Sequence, residues 1–210
     1  MLCGQGIAAI EDTATGVVVT LADGTAVEAD LAVIGIGAVP NTELAEAAGL
    51  AIENGISVDD HLRTSDPDIL AAGDCCSFPL ALYGGRRLRL EAWRNAQEQG
   101  TLAANNMLGI ELAPHVAVPW FWSDQYDLGL QIAGLADDAT QTVRRDLGGG
   151  ALILFHLASD GRLLAASGIG PRNSIARDIR LAEMLIARRA HPPREKLAAP
   201  EEKLKSLLAA

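Results

Sequence analysis

A short segment near residue 70 constrains the fold most strongly. Residues 69–72 are an apolar run of the length expected for a buried strand, and a Ser-Asp-Pro turn signal precedes them. Gly73 then permits close approach of a ligand to the backbone, and Asp74 places a carboxylate where the predicted strand ends. Open α/β sheets bind ligands at that end of their strands, and a carboxylate suits a polyhydroxylated ligand. The same residues are also compatible with an ordinary turn and a solvated aspartate.

A second apolar run precedes this segment. Residues 17–21 and 26–29 flank an Asp-Gly turn and predict a β-hairpin. Residues 31–36 are continuously apolar and rich in β-branched side chains, which predicts a strand buried on both faces. Gly35 and Gly37 end this strand, either to admit a ligand or simply to make a tight exit.

One long helix is expected downstream. Residues 91–108 carry apolar side chains at helical spacing, and Gly109 ends the pattern. A helix that begins near Ala92 and Trp93 would present unpaired backbone N–H groups and the positive end of its dipole. Trp93 could contact a ligand there, or it could anchor the helix in a core.

The last third of the chain predicts strands followed by helices. Trp120 and Trp122 precede a strand at 128–135, and residues 151–157 and 163–167 flank a second hairpin. A helix follows, capped by Asn173 or Ser174 and ending near Ala190, and a short helix opens at Pro200. This order indicates an α+β domain.

Composition excludes several classes of protein. The net charge of −10 argues against a general nucleic-acid binder, and no apolar run is long enough for a transmembrane helix. Three cysteines, two of them adjacent, are not a disulfide framework, so we expect a protein of the reducing cytoplasm without a secretory signal. The histidines lack metal-ligand spacing, so no metal site is expected.

Charge is unevenly distributed. Residues 1–85 contain thirteen acidic residues and one basic residue. Residues 86–210 contain fourteen acidic residues and sixteen basic residues. Arginines cluster near residues 86–94 and again near 172–194. They could form a basic face that steers an acidic partner, or they could be solvated helix faces.

Three segments together carry a resemblance to a known family. They are residues 30–41 (DLAVIGIGAVPN), 89–100 (RLEAWRNAQEQG) and 119–125 (PWFWSDQ). With the Gly73-Asp74 segment, they resemble the ferredoxin reductases of bacterial oxygenase and P450 systems, of the putidaredoxin reductase, rhodocoxin reductase and biphenyl dioxygenase reductase type. The resemblance implies an NAD(P)H-dependent flavoenzyme that contains FAD and passes single electrons to a [2Fe–2S] ferredoxin. A monomer or homodimer without membrane attachment is expected.

The resemblance also implies a domain plan. Residues 1–38 would end a nicotinamide-binding domain and residues 39–112 would be the second segment of an FAD-binding domain, both similar to glutathione reductase. Residues 113–210 would form a small C-terminal interface domain.

The same resemblance suggests site residues. Gly73 and Asp74 would hold the ribityl chain of FAD, and Ala92 and Trp93 would meet the pyrimidine end of its ring. A helix N-terminus there would stabilise the charge of reduced flavin by roughly 0.3–1 kcal/mol. Glu91 would lie beside the ring or the nicotinamide. Gly35 and Gly37 would lie near both cofactors, and Trp120 and Trp122 would face flavin or ferredoxin.

One departure from the family leaves alternatives open. Neither Gly4-Gln-Gly6 nor Gly35-Ile-Gly37 continues as the G-x-G-x-x-G turn that a dinucleotide-binding unit requires, so the chain resembles the carboxyl-terminal half of a reductase. It could instead be a non-catalytic module that interacts with ferredoxin. A third possibility is a flavin reductase or oxidase domain that serves another acceptor. A disulfide reductase is disfavoured because the sequence has no C-x-x-C or C-x4-C pair.

Overall fold

The chain forms two compact units in a computed structural model that describes residues 2–110 and 113–209. The first unit is Met1–Val39 and the second is Pro40–Ala210. The predicted boundary at 112/113 falls beside Glu111 and Leu112, outside the described residues. The predicted domain plan therefore stays a prediction. Within the described part of the chain, no helix is both long and apolar enough to cross a membrane.

The first unit is a three-stranded antiparallel sheet. Its strands, in spatial order, are β1 (Ile7–Asp12), β2 (Val17–Leu21) and β3 (Ala26–Ala29). The predicted hairpin is confirmed, with Thr20 opposite Ala26 and Gly24 at a φ of +86° in the turn. That turn is closed by Asp23, whose Oδ1 accepts a hydrogen bond from the Thr25 N–H at 2.9 Å.

The strand predicted at residues 31–36 does not form. This segment has no regular secondary structure, and Val33 and Ile36 are 90% and 89% exposed. A strand needs hydrogen bonds to a neighbouring strand, and none of the described strands pairs with this segment. Gly35 and Gly37 consequently lie in an exposed extended stretch, where Gly37 has a φ of +103°.

The second unit begins with short elements that lead to one long helix. In chain order they are α1 (Glu43–Ala47), β4 (Ile56–Ser57), β5 (Cys76–Leu80), a 3-10 helix (Ala81–Tyr83), β6 (Arg86–Leu88) and α2 (Trp93–Met107). Strand β5 is central, with β4 parallel on one side and β6 antiparallel on the other. The predicted long helix is confirmed.

The prediction of a strand at residues 69–72 is wrong. The preceding turn folds this segment back, because Ile69 N–H bonds to the Asp66 carbonyl and Thr64 N–H to the Ile69 carbonyl. Leu70 therefore forms only an isolated bridge with Arg63. The sheet strand is β5, which starts after Asp74 rather than before it.

The C-terminal part is a five-stranded antiparallel sheet followed by helices, as predicted. Its elements are β7 (Trp120–Gln125), β8 (Leu128–Gly134), β9 (Gln141–Gly148), β10 (Ala151–Leu157), β11 (Leu163–Pro171), α3 (Ala176–Ala187), α4 (Arg194–Ala198) and a 3-10 helix (Leu204–Leu208). The spatial order of the strands is β7-β8-β11-β10-β9.

Two helix boundaries differ from the prediction. Helix α3 starts after Ile175, which has no side-chain oxygen to cap it, and neither Asn173 nor Ser174 is the cap. Pro200 does not open a helix, since α4 lies before it and the next element is the 3-10 helix Leu204–Leu208.

One part of the core of the second unit lies between the five-stranded sheet and α3. Phe155, Ile153 and Ile179 are completely buried. A Cβ at Gly168 would lie 3.0 Å from the Cδ1 atoms of Ile175 and Ile179, so the glycine lets α3 pack directly on β11.

A buried arginine fixes the C-terminal segment. Arg145 in β9 is 2% exposed, and its guanidinium lies 3.5 Å from the Asp178 carboxylate in α3. It donates hydrogen bonds to five backbone carbonyls, those of Lys196, Leu197, Ala199, Pro200 and Glu202. One guanidinium therefore satisfies most of the carbonyls around the end of α4.

Candidate flavin- and acceptor-binding site

The turn that carries Asp74 is tied to α2 by one buried glutamine. Gln99 is completely buried, and its Oε1 accepts hydrogen bonds from the Gly73 N–H at 2.8 Å and the Cys76 thiol at 3.0 Å. A Cβ on Gly73 would approach that of Ala96 to 3.4 Å, and the φ of Gly73 is +84°. The turn therefore packs on the first two turns of the helix, while the Asp74 carboxylate stays exposed.

Arg89 brings Asp74 and Glu91 together. Its Nη1 donates to the Glu91 carboxylate at 2.5 Å and to the backbone carbonyl of Asp74 at 3.1 Å. The Arg89 side chain is mostly buried. Two residues that the sequence assigned to one site are thus neighbours, joined by an arginine that the sequence analysis did not select.

The N-terminus of α2 is uncapped. Ala92 is the N-cap in an extended conformation, and no side chain caps the helix. The first helical hydrogen bond runs from the Ala96 N–H to the Ala92 carbonyl, so the N–H groups of residues 93–95 have no partner within the helix. A helix of fifteen residues therefore presents donors and a positive dipole end beside Trp93.

Three tryptophans line one open groove of about 750 Å³. Trp120 and Trp122 lie on one face of β7 with ring centroids 5.2 Å apart and planes inclined by 27°. Trp93 joins them from α2 and is 69% exposed, so it does not anchor a core. Asp74 is not among the residues that line this groove.

Arg94 connects this groove to helix α3. Its guanidinium carbon lies 5.9 Å from the centroid of the Trp120 ring. Its Nη2 donates to the buried Glu183 carboxylate at 2.7 Å and its Nε donates to Glu98 at 2.9 Å. These ion pairs hold the pKa of the Arg94 guanidinium above its ordinary value.

The other arginines of the 86–94 cluster are paired as well. Arg86 lies within 3.7 Å of Asp137 and Asp138, and Arg87 lies 3.3 Å from Glu53. Local acidic residues therefore offset this cluster, which weakens its use as a basic face for an acidic partner.

Two buried polar residues of the second unit were not selected from the sequence. The Tyr83 hydroxyl donates to the Leu164 carbonyl at 2.7 Å and accepts from the Leu135 N–H at 2.9 Å, and burial raises its pKa to about 12. His115 lies edge-on to Phe78 with ring centroids 5.2 Å apart, and burial lowers its pKa, which keeps it neutral at pH 7. Their sequence contexts contain no motif that distinguishes them from surface residues.

The cysteines are free thiols. Burial raises the pKa of Cys76 to about 12, so it is a poor nucleophile and fits a packing role. Among the described residues, Asp59, Asp60 and His61 form one cluster of potential metal ligands, but both carboxylates are exposed and the His61 Nδ1 lies 2.8 Å from Asp60.

Comparison with known protein families covers most of the chain. Residues 1–100 match the family described as pyridine nucleotide-disulphide oxidoreductase, and residues 120–208 match the family described as reductase C-terminal. The fold class expected from the sequence is therefore confirmed.

Individual relatives agree with these matches. A ferredoxin–NAD(+) reductase component of an anthranilate 1,2-dioxygenase system from Burkholderia cepacia is 43% identical over 201 residues, which are 95% of this chain and 48% of that protein. Putidaredoxin reductase from Pseudomonas putida is 41% identical over 169 residues, 80% of this chain and 39% of that protein.

A solved structure extends the comparison. The crystal structure of the covalent putidaredoxin reductase–putidaredoxin complex superposes with a TM-score of 0.86 at 34% identity, covering 98% of this chain and 49% of that one. The chain thus spans about half the length of the curated relatives it matches.

Proposed function

Because this chain belongs to the ferredoxin reductases of the pyridine nucleotide-disulphide oxidoreductase family, we propose that it forms part of a flavoprotein NAD(P)H:ferredoxin reductase. Such a component would serve an oxygenase or P450 electron-transfer chain. When bound, FAD would supply the redox chemistry, taking a hydride from NAD(P)H and releasing single electrons to a [2Fe–2S] ferredoxin. The protein would bind and orient the participants.

The observation that carries this proposal is the junction of the Asp74 turn with the uncapped start of α2. FAD needs acceptors for the hydroxyls of its ribityl chain and donors for the pyrimidine end of its ring. The exposed Asp74 carboxylate is an acceptor of the first kind. The free N–H groups that follow Ala92 are donors of the second kind, and together with the helix dipole they would stabilise negative charge there by roughly 0.3–1 kcal/mol.

The other proposed roles follow from exposure. Trp93 is exposed beside those donors, and Glu91 is linked to Asp74 through Arg89, so both could face the ring or nicotinamide. Trp120 and Trp122 offer an aromatic surface to flavin or ferredoxin. Gly73 shapes the Asp74 turn. Gly35 and Gly37 lie in the first unit, where their exposed backbone would admit a cofactor.

We also assign the protein to the cytoplasm, as a monomer or homodimer. Free cysteines, one of them exposed at Cys3, are consistent with a reducing compartment.

The proposal is tested by the absorption spectrum and its response to reductant. Chain purified in the presence of FAD should retain a yellow flavin spectrum after gel filtration. Addition of NADH should bleach it, and a [2Fe–2S] ferredoxin should restore it while becoming reduced. Bleaching that is reversed by a disulfide substrate but not by ferredoxin would contradict the assignment.

A second candidate function is a non-catalytic module that binds ferredoxin. One observation favours it: residues 2–39 form strands but no helix, so neither Gly4-Gln-Gly6 nor Gly35-Ile-Gly37 opens a helix that could receive a pyrophosphate. Such a module would be colourless after incubation with FAD, yet it would still bind a [2Fe–2S] ferredoxin in a pull-down with purified components. The flavin spectrum separates the two candidates.

A further inference from the structure

Glu183 is a buried carboxylate in α3 that the proposed chemistry does not use. Its side chain is 7% exposed, and its two oxygens accept separate hydrogen bonds of 2.7 Å from Arg94 and Arg180. Burial disfavours the charged form, but the two guanidinium groups lower the pKa of Glu183 overall, so it is ionised at pH 7. A buried anion requires such partners, because an unpaired one would be strongly destabilising.

The two arginines that share Glu183 differ in what else they touch. Arg180 lies three residues before Glu183 on the same helix and is mostly exposed. Arg94 instead comes from the first turn of α2, directly after Trp93, and its guanidinium reaches the ring of Trp120. Trp120 in turn stacks on Trp122. A continuous set of contacts therefore runs from α3 through Arg94 to both indoles of β7.

We propose that Glu183 is a positioning residue that fixes the Trp120–Trp122 pair through Arg94. Arg94 bonds two carboxylates at once: its Nη2 donates to the buried Glu183 and its Nε donates to the more exposed Glu98, four residues along α2. The Glu183 carboxylate holds the guanidinium beside α3, and in that position the guanidinium carbon lies 5.9 Å from the centroid of the Trp120 ring on β7. A planar guanidinium can satisfy a carboxylate and contact an aromatic ring at once, which an ammonium group cannot do equally well.

Glu183 thereby sets the orientation of the rings on the groove. The importance of that orientation for electron delivery rests on the proposed function, in which these rings face flavin or ferredoxin. The orientation itself does not depend on that function, and it can be measured on the chain alone without flavin or ferredoxin.

The test is the exciton couplet that two stacked indoles give in circular dichroism. The chain has three tryptophans, so Trp122→Phe identifies the couplet of the stacked pair by abolishing it. Glu183→Gln, which keeps the shape but removes the charge, should cause loss of the couplet. Glu98→Gln is the matched control, because it removes the other partner of Arg94, and it should leave the couplet intact.

Arg94→Lys provides a second variant that does not disturb the buried carboxylate charge. It keeps a cation near Glu183 but lacks the planar group over Trp120, and it should also lose the couplet. If Glu183→Gln fails to fold, Arg94→Lys decides the question alone. An undiminished couplet in Arg94→Lys, or in folded Glu183→Gln, would overturn the proposal. Because no cofactor is added, this outcome is independent of whether the chain binds FAD.

Discussion

The two units of this chain differ in what stabilises them. Residues 2–39 form a sheet by backbone hydrogen bonding, and among them Leu21 alone is buried. The second unit buries large side chains such as Phe78, Phe155 and Ile179 completely, and it contains buried polar ties such as Gln99 and Arg145. Apolar sequence alone therefore does not create a core. A core forms only where other segments cover the apolar run.

Substitution of an apolar residue in each unit should give the largest difference in the free energy of unfolding between the two units. Phe155→Ala in the second unit should lower the free energy of unfolding by about 3–5 kcal/mol, because it leaves a cavity in the core. Val33→Ser in the first unit should change it by less than about 0.5 kcal/mol, because Val33 is exposed. Urea denaturation followed by circular dichroism measures both. Equal costs for the two variants would show that the units do not differ in this way.

Loss of a buried polar side chain that hydrogen-bonds to a distant segment should have the next largest effect on the free energy of unfolding. Gln99→Leu removes the acceptor of the Gly73 N–H and should cost about 1–3 kcal/mol, partly offset because the Gln99 Nε2 has no described partner. The control is Gln97→Leu, an exposed position two residues earlier on the same helix. A Gln99→Leu variant as stable as this control would argue that the hydrogen bond does not hold the turn.

Alkaline pH should weaken the second unit through Tyr83. Its pKa is raised from 10.0 to about 12, so the folded state keeps the proton that the unfolded state loses. Stability from this group is complete below pH 10 and is lost as pH rises toward 12, with a decrease of roughly 1.4 kcal/mol by pH 11. Cys76 adds to the same trend. Tyr83→Phe should show a shallower decline between pH 8 and 11 in urea titrations, and an unchanged slope would refute this role.

Surface ion pairs should matter least. Arg86 lies 3.4 Å from Asp137, but both side chains are substantially exposed. Arg86→Gln should therefore change the free energy of unfolding by about 0–1 kcal/mol, and 1 M NaCl should reduce even that difference. Denaturation of both proteins at low and high salt measures it. A larger decrease in the free energy of unfolding that does not depend on salt would show that Arg86 stabilises the fold to an extent comparable to Gln99.

Local signals made much of the second unit predictable. The start of α2 was evident from its apolar spacing, and the hairpin of β10 and β11 from its Asp-Gly turn. The strand expected at 31–36 failed because pairing depends on partners that a local pattern does not reveal. The strand expected at 69–72 failed because the preceding turn reverses the chain.

The site was predictable in outline only. Asp74, Glu91 and Trp93 were selected from motifs, but the polar residues that link neighbouring segments to distant parts of the fold were not. Gln99 bonds to Gly73 across 26 positions of sequence, and Arg94 bonds to Glu183 across 89. A glutamine or arginine on a helix gives no indication in sequence of whether its side chain faces solvent or a distant turn. Buried polar ties of this kind need the fold before they can be recognised.

The account depends most on the carboxylate of Asp74, and titration of FAD fluorescence with the chain tests it directly. The wild-type chain should quench the fluorescence saturably. Asp74→Asn should weaken binding by about tenfold or more while leaving the thermal unfolding midpoint unchanged, because the carboxylate is exposed and would act only on the ligand. Asp68→Asn, an exposed acid in the neighbouring turn, should bind like the wild type. Equal FAD affinity in the wild type and Asp74→Asn would contradict the account.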